Sequence, residues 1–197
     1  YKDLPTPTRD GYAFAGWYTA ASSGTQKNVN TKVAITANET LYAHWTAKTY
    51  KVSFNGNGGT PSSTASITVT YDSTYGTLPT ANRTGYTFAG WYTATSGGTN
   101  ITNTSTVKIT ANTTLYAHWT ANTYKVTLNA NGGTVMPASI TVTYDGTYKD
   151  LPTPSKTGYS FAGWFTAASG GTQKTTATKV AITAAETLYA HWTANTY

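Results

Sequence analysis

The side chains able to do chemistry are few, and their spacing decides what chemistry is open to them. His44, His118 and His191 each sit in the segment Leu-Tyr-Ala-His-Trp-Thr, once in every stretch of about 73–74 residues. A metal site needs several donors converging on one point, and the chain has no cysteine to join a lone histidine. Acid–base work by paired carboxylates needs two acids facing one another across a site, and the chain holds seven acids in all. Of these, Asp72 and Asp145 recur at one position in both complete repeats, after a Tyr and before a Pro segment. That is the setting of a turn or a cap. No Gly-x-Ser-x-Gly elbow and no phosphate-binding glycine loop is present. The expectation is no catalytic residue, no metal and no cofactor.

Exposed aromatic rings bind sugars by stacking, and Trp17, Trp91 and Trp164 are the candidates for that role. The competing role is core packing, since a large aromatic is usually highly buried. Asn-x-Ser/Thr sequons at Asn38, Asn82, Asn100, Asn103 and Asn112 fit the glycosylation pattern, a triplet that arises often by chance in a Thr-rich chain. Leu4-Pro-Thr, Leu78-Pro-Thr and Leu151-Pro-Thr share the opening of a wall-sorting signal. They lack its Gly, apolar tail and basic end, so they read as internal turns.

Composition narrows the class further. Only 10% of residues are charged, against about 25% in ordinary soluble domains, and roughly a quarter of the chain is Thr. Thr, Tyr, Val, Ile and Trp favour strands because branched and aromatic side chains pack well on a pleated surface. The net charge of +6 is spread over single basic residues such as Lys51, Lys108, Lys125 and Lys179. Nucleic-acid binding calls for clustered Lys and Arg, so nucleic acid is not an expected partner. No apolar run approaches the roughly 20 residues that cross a bilayer, so membrane insertion is not expected in this segment. Tyr1-Lys2-Asp3 has no signal-peptide character, and any targeting signal is expected outside the segment. The absence of cysteine is compatible with a cytosolic protein and also with a secreted bacterial one, while a Thr-rich, charge-poor surface suggests the exterior of a cell.

The elements that must position these residues come in repeats. Gly11-Tyr-Ala-Phe-Ala-Gly-Trp-Tyr18 returns at Gly85–Tyr92 and at Gly158–Phe165, and Leu41–Thr46 returns at Leu115–Thr120 and Leu188–Thr193. A unit of this length is a small domain in itself. The expected division is a partial repeat over 1–49 lacking its first two strands, complete repeats over 50–123 and 124–196, and Tyr197 entering a further repeat.

Within one repeat, Tyr124–Asn129 alternates apolar and polar residues as a half-buried strand does. The Asn131-Gly132 pair supplies the positive φ values of a tight hairpin turn, and Ile140–Tyr144 reads as the return strand. Leu151-Pro-Thr-Pro154 forces a connection with room for one short helical turn. Gly158–Thr166 and Thr187–Thr193 read as the third and last strands, separated by a Gly170-Gly171 turn and a Thr-rich stretch of no assigned structure. Strict alternation puts Tyr159, Phe161, Gly163 and Phe165 on one face and Ala162 and Trp164 on the other. In the last strand it sets Leu188, Ala190 and Trp192 against Tyr189 and His191.

With the Gly-Tyr-x-Phe-x-Gly-Trp-[Tyr/Phe] motif, the Gly-Gly turn, the closing Leu-Tyr-Ala-x-Trp and the opening Tyr-Lys-Val-x-[Phe/Leu]-Asn, the chain resembles the Listeria–Bacteroides repeat, found as the B-repeat of internalin-like surface proteins. The resemblance implies a mostly-β (α+β) fold of small β-grasp-like modules, each a mixed sheet of four or five strands with little helix, strung into an elongated array. It implies bacterial or archaeal surface proteins in which repeats link a ligand-binding head to the envelope, and no catalytic residues. The expected function is a non-enzymatic spacer or stalk of an extracellular adhesin. A second expectation is an adhesive module that binds cell-wall or host glycans, or a surface receptor, by avidity. A third is a filament subunit that self-associates through unpaired strand edges.

Overall fold

The computed structural model describes residues 1–62 and 65–196. Tyr197, read above as the start of a further repeat, lies outside the described residues. Among the described residues all regular structure is strand. The first sheet contains β1 (Tyr12–Tyr18), β2 (Gln26–Lys27) and β3 (Tyr42–Ala47). The second repeat contributes β4 (Thr49–Asn55), β5 (Thr60–Pro61), β6 (Ser66–Thr70), β7 (Ala81–Asn82), β8 (Tyr86–Tyr92), β9 (Asn100–Ile101) and β10 (Thr113–Ala121). The third has β11 (Thr123–Asn129), β12 (Ser139–Thr143), β13 (Tyr159–Phe165), β14 (Gln173–Lys174) and β15 (Glu186–Ala194).

The five-stranded sheets run β6-β4-β10-β8-β9 and β12-β11-β15-β13-β14, and the first sheet runs β2-β1-β3. Each large sheet is mixed. β4 lies parallel to β10 with Val52 opposite Thr113, and β11 lies parallel to β15 with Val126 opposite Glu186. A parallel pair cannot be joined by a tight turn, so the chain between its two strands is long and carries β8, β9 and the Pro segment. By contact density the chain divides into two compact units, Tyr1–Ala81 with Gly90–His118, and Asn82–Ala89 with Trp119–Tyr197. Each unit therefore joins part of the second repeat to a neighbouring one.

The core of the third repeat is Val126, Leu128, Ile140, Val142, Tyr148, Trp164, Val180, Leu188 and Ala190. Val33 occupies the position of Val107 and Val180, and it is 55% exposed where both of those are 0% exposed.

Three expectations are corrected. The Pro segment takes no helical turn, because its prolines hold it in irregular extended chain. Asn131 and Gly132 do take positive φ, 49° and 87°, but the hairpin is not tight. The chain runs on from the turn through a Thr134–Ser155 bridge before β12 starts at Ser139. The third correction concerns the face of Trp164. The β13–β15 register shifts between Phe161 and Gly163, so Phe161 pairs with Trp192 and Trp164 pairs with Ala190. This bulge swaps the parity of everything after it, placing Phe161 and Trp164 on one face with ring centres 5.6 Å apart. Phe165 turns to the other face and stacks on His191 at 4.0 Å. Glycine suits the bulge because Gly163 takes φ of 143°, a backbone conformation that residues with a side chain rarely adopt.

Candidate functional site

The residues singled out as chemically able fall into two groups. The histidines are structural: His191 Nε2 lies 2.9 Å from the Ala167 carbonyl oxygen, and His44 and His118 bond Ala20 and Ala94 in the same way. With the carbonyl as acceptor, Nε2 carries the proton and is closed to a metal. Among the described residues no group of three or more His, Asp and Glu could hold a metal ion. Trp91 and Trp164 are each 2% exposed, and their Nε1 atoms donate to the Pro79 and Pro152 carbonyl oxygens at 2.6 and 2.8 Å. Rings so placed offer no face to a sugar, which overturns their candidacy as stacking platforms; both are core. Trp17 donates likewise to the Pro5 carbonyl at 2.8 Å and is half-buried.

Asp72 and Asp145 do occupy turns, with left-handed φ of 64° and 61°. The structure adds what the sequence reading missed, which is that each reaches into the preceding repeat. Tyr12 Oη donates to Asp72 Oδ2 at 2.6 Å, and Tyr86 Oη to Asp145 Oδ2 at 2.6 Å. A lysine of the Asp's own repeat closes each pair from the other side, Lys108 on Asp72 and Lys179 on Asp145. The tyrosine next to each Asp packs edge-on against the tyrosine of the earlier repeat, with centroids 5.4 Å apart for Tyr12–Tyr71 and 5.6 Å for Tyr86–Tyr144. Guanidinium groups cover the outer ring faces, Arg9 at 3.9 Å from Tyr12 and Arg83 at 3.8 Å from Tyr86, a favourable cation–π placement.

Backbone bonds complete the clasp. The single residue between β3 and β4, Lys48, donates to the Gly11 carbonyl and accepts from the Tyr71 amide, both at 2.9 Å. Asn122, between β10 and β11, does the same with Gly85 and Tyr144, again at 2.9 Å. The tyrosine ring then lies flat over the glycine, where a Cβ would fall 2.3 Å from ring carbons at both Gly11 and Gly85. Electrostatics follow from these contacts. Asp145 is held below the ordinary carboxylate range, first by the Tyr86 hydroxyl and then by Lys179, and Asp72 first by Lys108 and then by Tyr12. The tyrosines shift the opposite way, because a phenol bonded to a carboxylate resists ionisation. The sequence signal for the clasp was present as two recurring dipeptides, Gly-Tyr and Tyr-Asp, whose partnership only the fold makes visible.

A second recurring feature is a surface cleft beside the clasp residues. In the third repeat it measures about 540 Å³ and is lined by Tyr159, Phe161 and Trp192 together with Lys156 and Pro154. The cleft of the first repeat, about 530 Å³, is lined by Tyr12, Phe14 and Trp45 with Arg9, Asp10 and Pro7.

All-β mixed sheets in tandem, built on a repeated motif and joined by repeated clasps, define a repeat protein. The sequence profile of the Listeria-Bacteroides repeat domain matches residues 1–44, 50–118 and 124–191, and the chain belongs to that family. It is similar to internalin H of Listeria monocytogenes, with 36% identity over 121 residues, covering 61% of this chain and 21% of that protein. It is similar also to a protein of Evansella cellulosilytica described as a Gly-rich membrane protein, 31% identical over 177 residues, covering 83% of this chain and 20% of the relative. A further membrane protein of that organism is 31% identical over 195 residues, covering 96% of this chain and 29% of its own length. The chain thus spans less than a third of the curated relatives it matches. No solved structure gives a significant match.

Proposed function

We propose that the chain is a non-enzymatic segment of an extracellular, cell-surface protein, in which the repeats form a stalk that carries another domain away from the envelope. The observation that carries this reading is the clasp: one linking residue at each repeat junction, locked by backbone bonds and a tyrosine–aspartate–lysine triad. A spacer gains from resistance to bending at its joints, whereas an active site gains nothing from it. The relatives, an internalin and membrane proteins, support a surface location. The order of each large sheet, second, first, fifth, third and fourth of its five strands around a parallel pair, supports a β-grasp-like module without its helix. Solution scattering on the full chain and on a Tyr12→Phe/Tyr86→Phe variant tests the stalk reading. A narrow distribution of dimensions that broadens in the variant is expected; an equally broad distribution in both chains would refute it.

A second reading has its own support in the recurring cleft, whose aromatic lining suits a glycan of the cell wall or a host surface. Repeated weak sites would gain by avidity. A glycan and cell-wall binding assay with Phe161→Ala and Lys156→Ala separates the readings: saturable binding lost in folded variants favours adhesion, and no binding favours a plain stalk.

A further inference from the structure

Beside each of the two aromatic clefts lies a second cleft, on the other side of the same phenylalanine. In the third repeat it measures about 290 Å³ and is lined by Pro152, Phe161, Trp164, Gln173 and Lys174 among others. In the first repeat it measures about 300 Å³ and is lined by Pro5, Phe14, Trp17, Gln26 and Lys27 among others. All eleven lining positions of the one recur in the other, at the offset that separates Lys27 from Lys174. The two clefts of a repeat are continuous. Thr153 and Phe161 line both in the third repeat, and Thr6 and Phe14 line both in the first. Each pair therefore forms one groove, with the Leu-Pro-Thr-Pro segment as one wall and β13 or β1 as the other. These strands have seven residues each and run roughly 20 Å at the rise of a strand, room for several sugar rings in line.

We infer that this groove holds a linear polysaccharide carrying carboxylates along its length, a proposal that rests on the adhesive reading and names its ligand. The third-repeat groove is lined by Lys156 and Lys174 and by no acid. The first-repeat groove is lined by Arg9, Lys27 and Lys48 and by one acid, Asp10. Behind the lining, Glu39 lies 4.0 Å from Lys27, and Glu186 holds the same position in the third repeat. With these carboxylates counted, basic groups still outnumber acidic ones in both grooves. Lys156 and Lys174 stand on opposite sides of Phe161, so a chain with repeated charge meets both and a single acidic sugar meets one. Phe161, Tyr159 and Trp192 supply ring surface for sugar faces, and Thr153 and Gln173 supply a hydroxyl and an amide for their hydroxyls. An extended peptide fits less well, because it would bind by adding to the outer edge of β13. β14 already pairs with Trp164 and Phe165 on that edge. Gln173 Nε2 also donates to the Ala162 carbonyl at 3.5 Å, as Gln26 Nε2 does to Ala15 at 3.1 Å.

Titration calorimetry on the full chain tests this with polygalacturonate, the same polymer fully methyl-esterified, digalacturonate and polyglutamate. Polygalacturonate is expected to bind saturably and more tightly than the other three. Arg9→Gln/Lys27→Gln/Lys156→Gln/Lys174→Gln should weaken that binding about tenfold, the combined worth of several exposed ion pairs. Lys125→Gln, outside the groove, should bind as the wild type does. Thr6→Trp/Thr153→Trp puts bulk on the wall that the two clefts share and should abolish polymer binding, with circular dichroism checking that each variant is folded. A chain that binds neither these probes nor any glycan of a wall and host array would defeat the adhesive reading, and this proposal with it. Binding of the esterified polymer or of the dimer as tight as that of polygalacturonate would leave adhesion standing and overturn the acidic-chain groove. Equal binding of polyglutamate would assign the groove to a peptide and overturn it too, as would wild-type affinity in the folded quadruple variant.

Discussion

The hydroxyl of Tyr86 donates to the carboxylate of Asp145 at 2.6 Å across 59 residues of sequence, and the same bond joins Tyr12 to Asp72 across 60. Removing the hydroxyl while keeping the ring isolates it. Tyr86→Phe should preserve the edge-on contact with Tyr144 and the far-ultraviolet circular dichroism, yet lower Tm. Asp145→Asn should lower it further, since Lys179 then loses its counter-ion as well. Differential scanning calorimetry of the single and double variants gives the coupling. Additive losses would show that the two groups do not act through one another.

The pH dependence follows from the same contacts. Asp72 and Asp145 have folded values below the unfolded carboxylate value, which is about 3.9. Their contribution is therefore fully present above that value and is lost as pH falls through the lower folded one. Tm should be level between about pH 7 and pH 5 and decline below about pH 4, less steeply in Asp72→Asn/Asp145→Asn. At the alkaline end Lys108 and Lys179 are raised; their contribution is present below the free lysine value and disappears as pH rises through the folded one. A decline unaffected by the double substitution would place the acid-sensitive groups elsewhere.

Gly85 and Gly158 share one backbone conformation and differ in what lies over them. Alanine at either carries the left-handed cost, about 1–2 kcal/mol. At Gly85 the methyl must also displace the Tyr144 ring. Gly85→Ala should thus destabilise clearly more than Gly158→Ala in chemical denaturation, and equal effects would mean that the ring moves aside freely.

The buried tryptophans and valines give a contrast within equivalent positions. Trp164→Ala should cost about 3–5 kcal/mol by cavity formation, and Val180→Ala about 1.5–3 kcal/mol at most, since it gives up only part of a fully buried side chain. Val33→Ala, at an exposed copy of the Val180 position, should change stability little. Urea titration followed by tryptophan fluorescence reads all three. A Trp164→Ala chain as stable as the wild type would contradict its place in the core.

What the sequence made legible is what local pattern determines. The strands at Tyr124–Asn129 and Tyr159–Phe165 follow from alternation and motif, and the burial of Leu188 and Ala190 from period two alone. The face of Trp164 was misassigned because alternation assumes an unbroken pleat. The Gly in Phe161-Ala-Gly-Trp164 was the clue, since an isolated glycine inside a strand marks a bulge. The Thr-rich stretch hid β14 and the buried Val180 because a two-residue strand carries no periodicity. The clasp was illegible for another reason. Asp145 and Tyr86 gain meaning only when the linking residue Asn122 bonds Gly85 on one side and Tyr144 on the other, and no local window contains both.

The clasp makes the seam between repeats nearly generic: a basic residue, Gly-Tyr and a single linking residue on one side, Tyr-Asp and a lysine on the other. Any repeat can then follow any other. Insertion or deletion of a whole unit would leave no mismatched seam behind. The length of such a chain becomes something a lineage can adjust in steps of one repeat, with each new junction folding by the rules of the old ones.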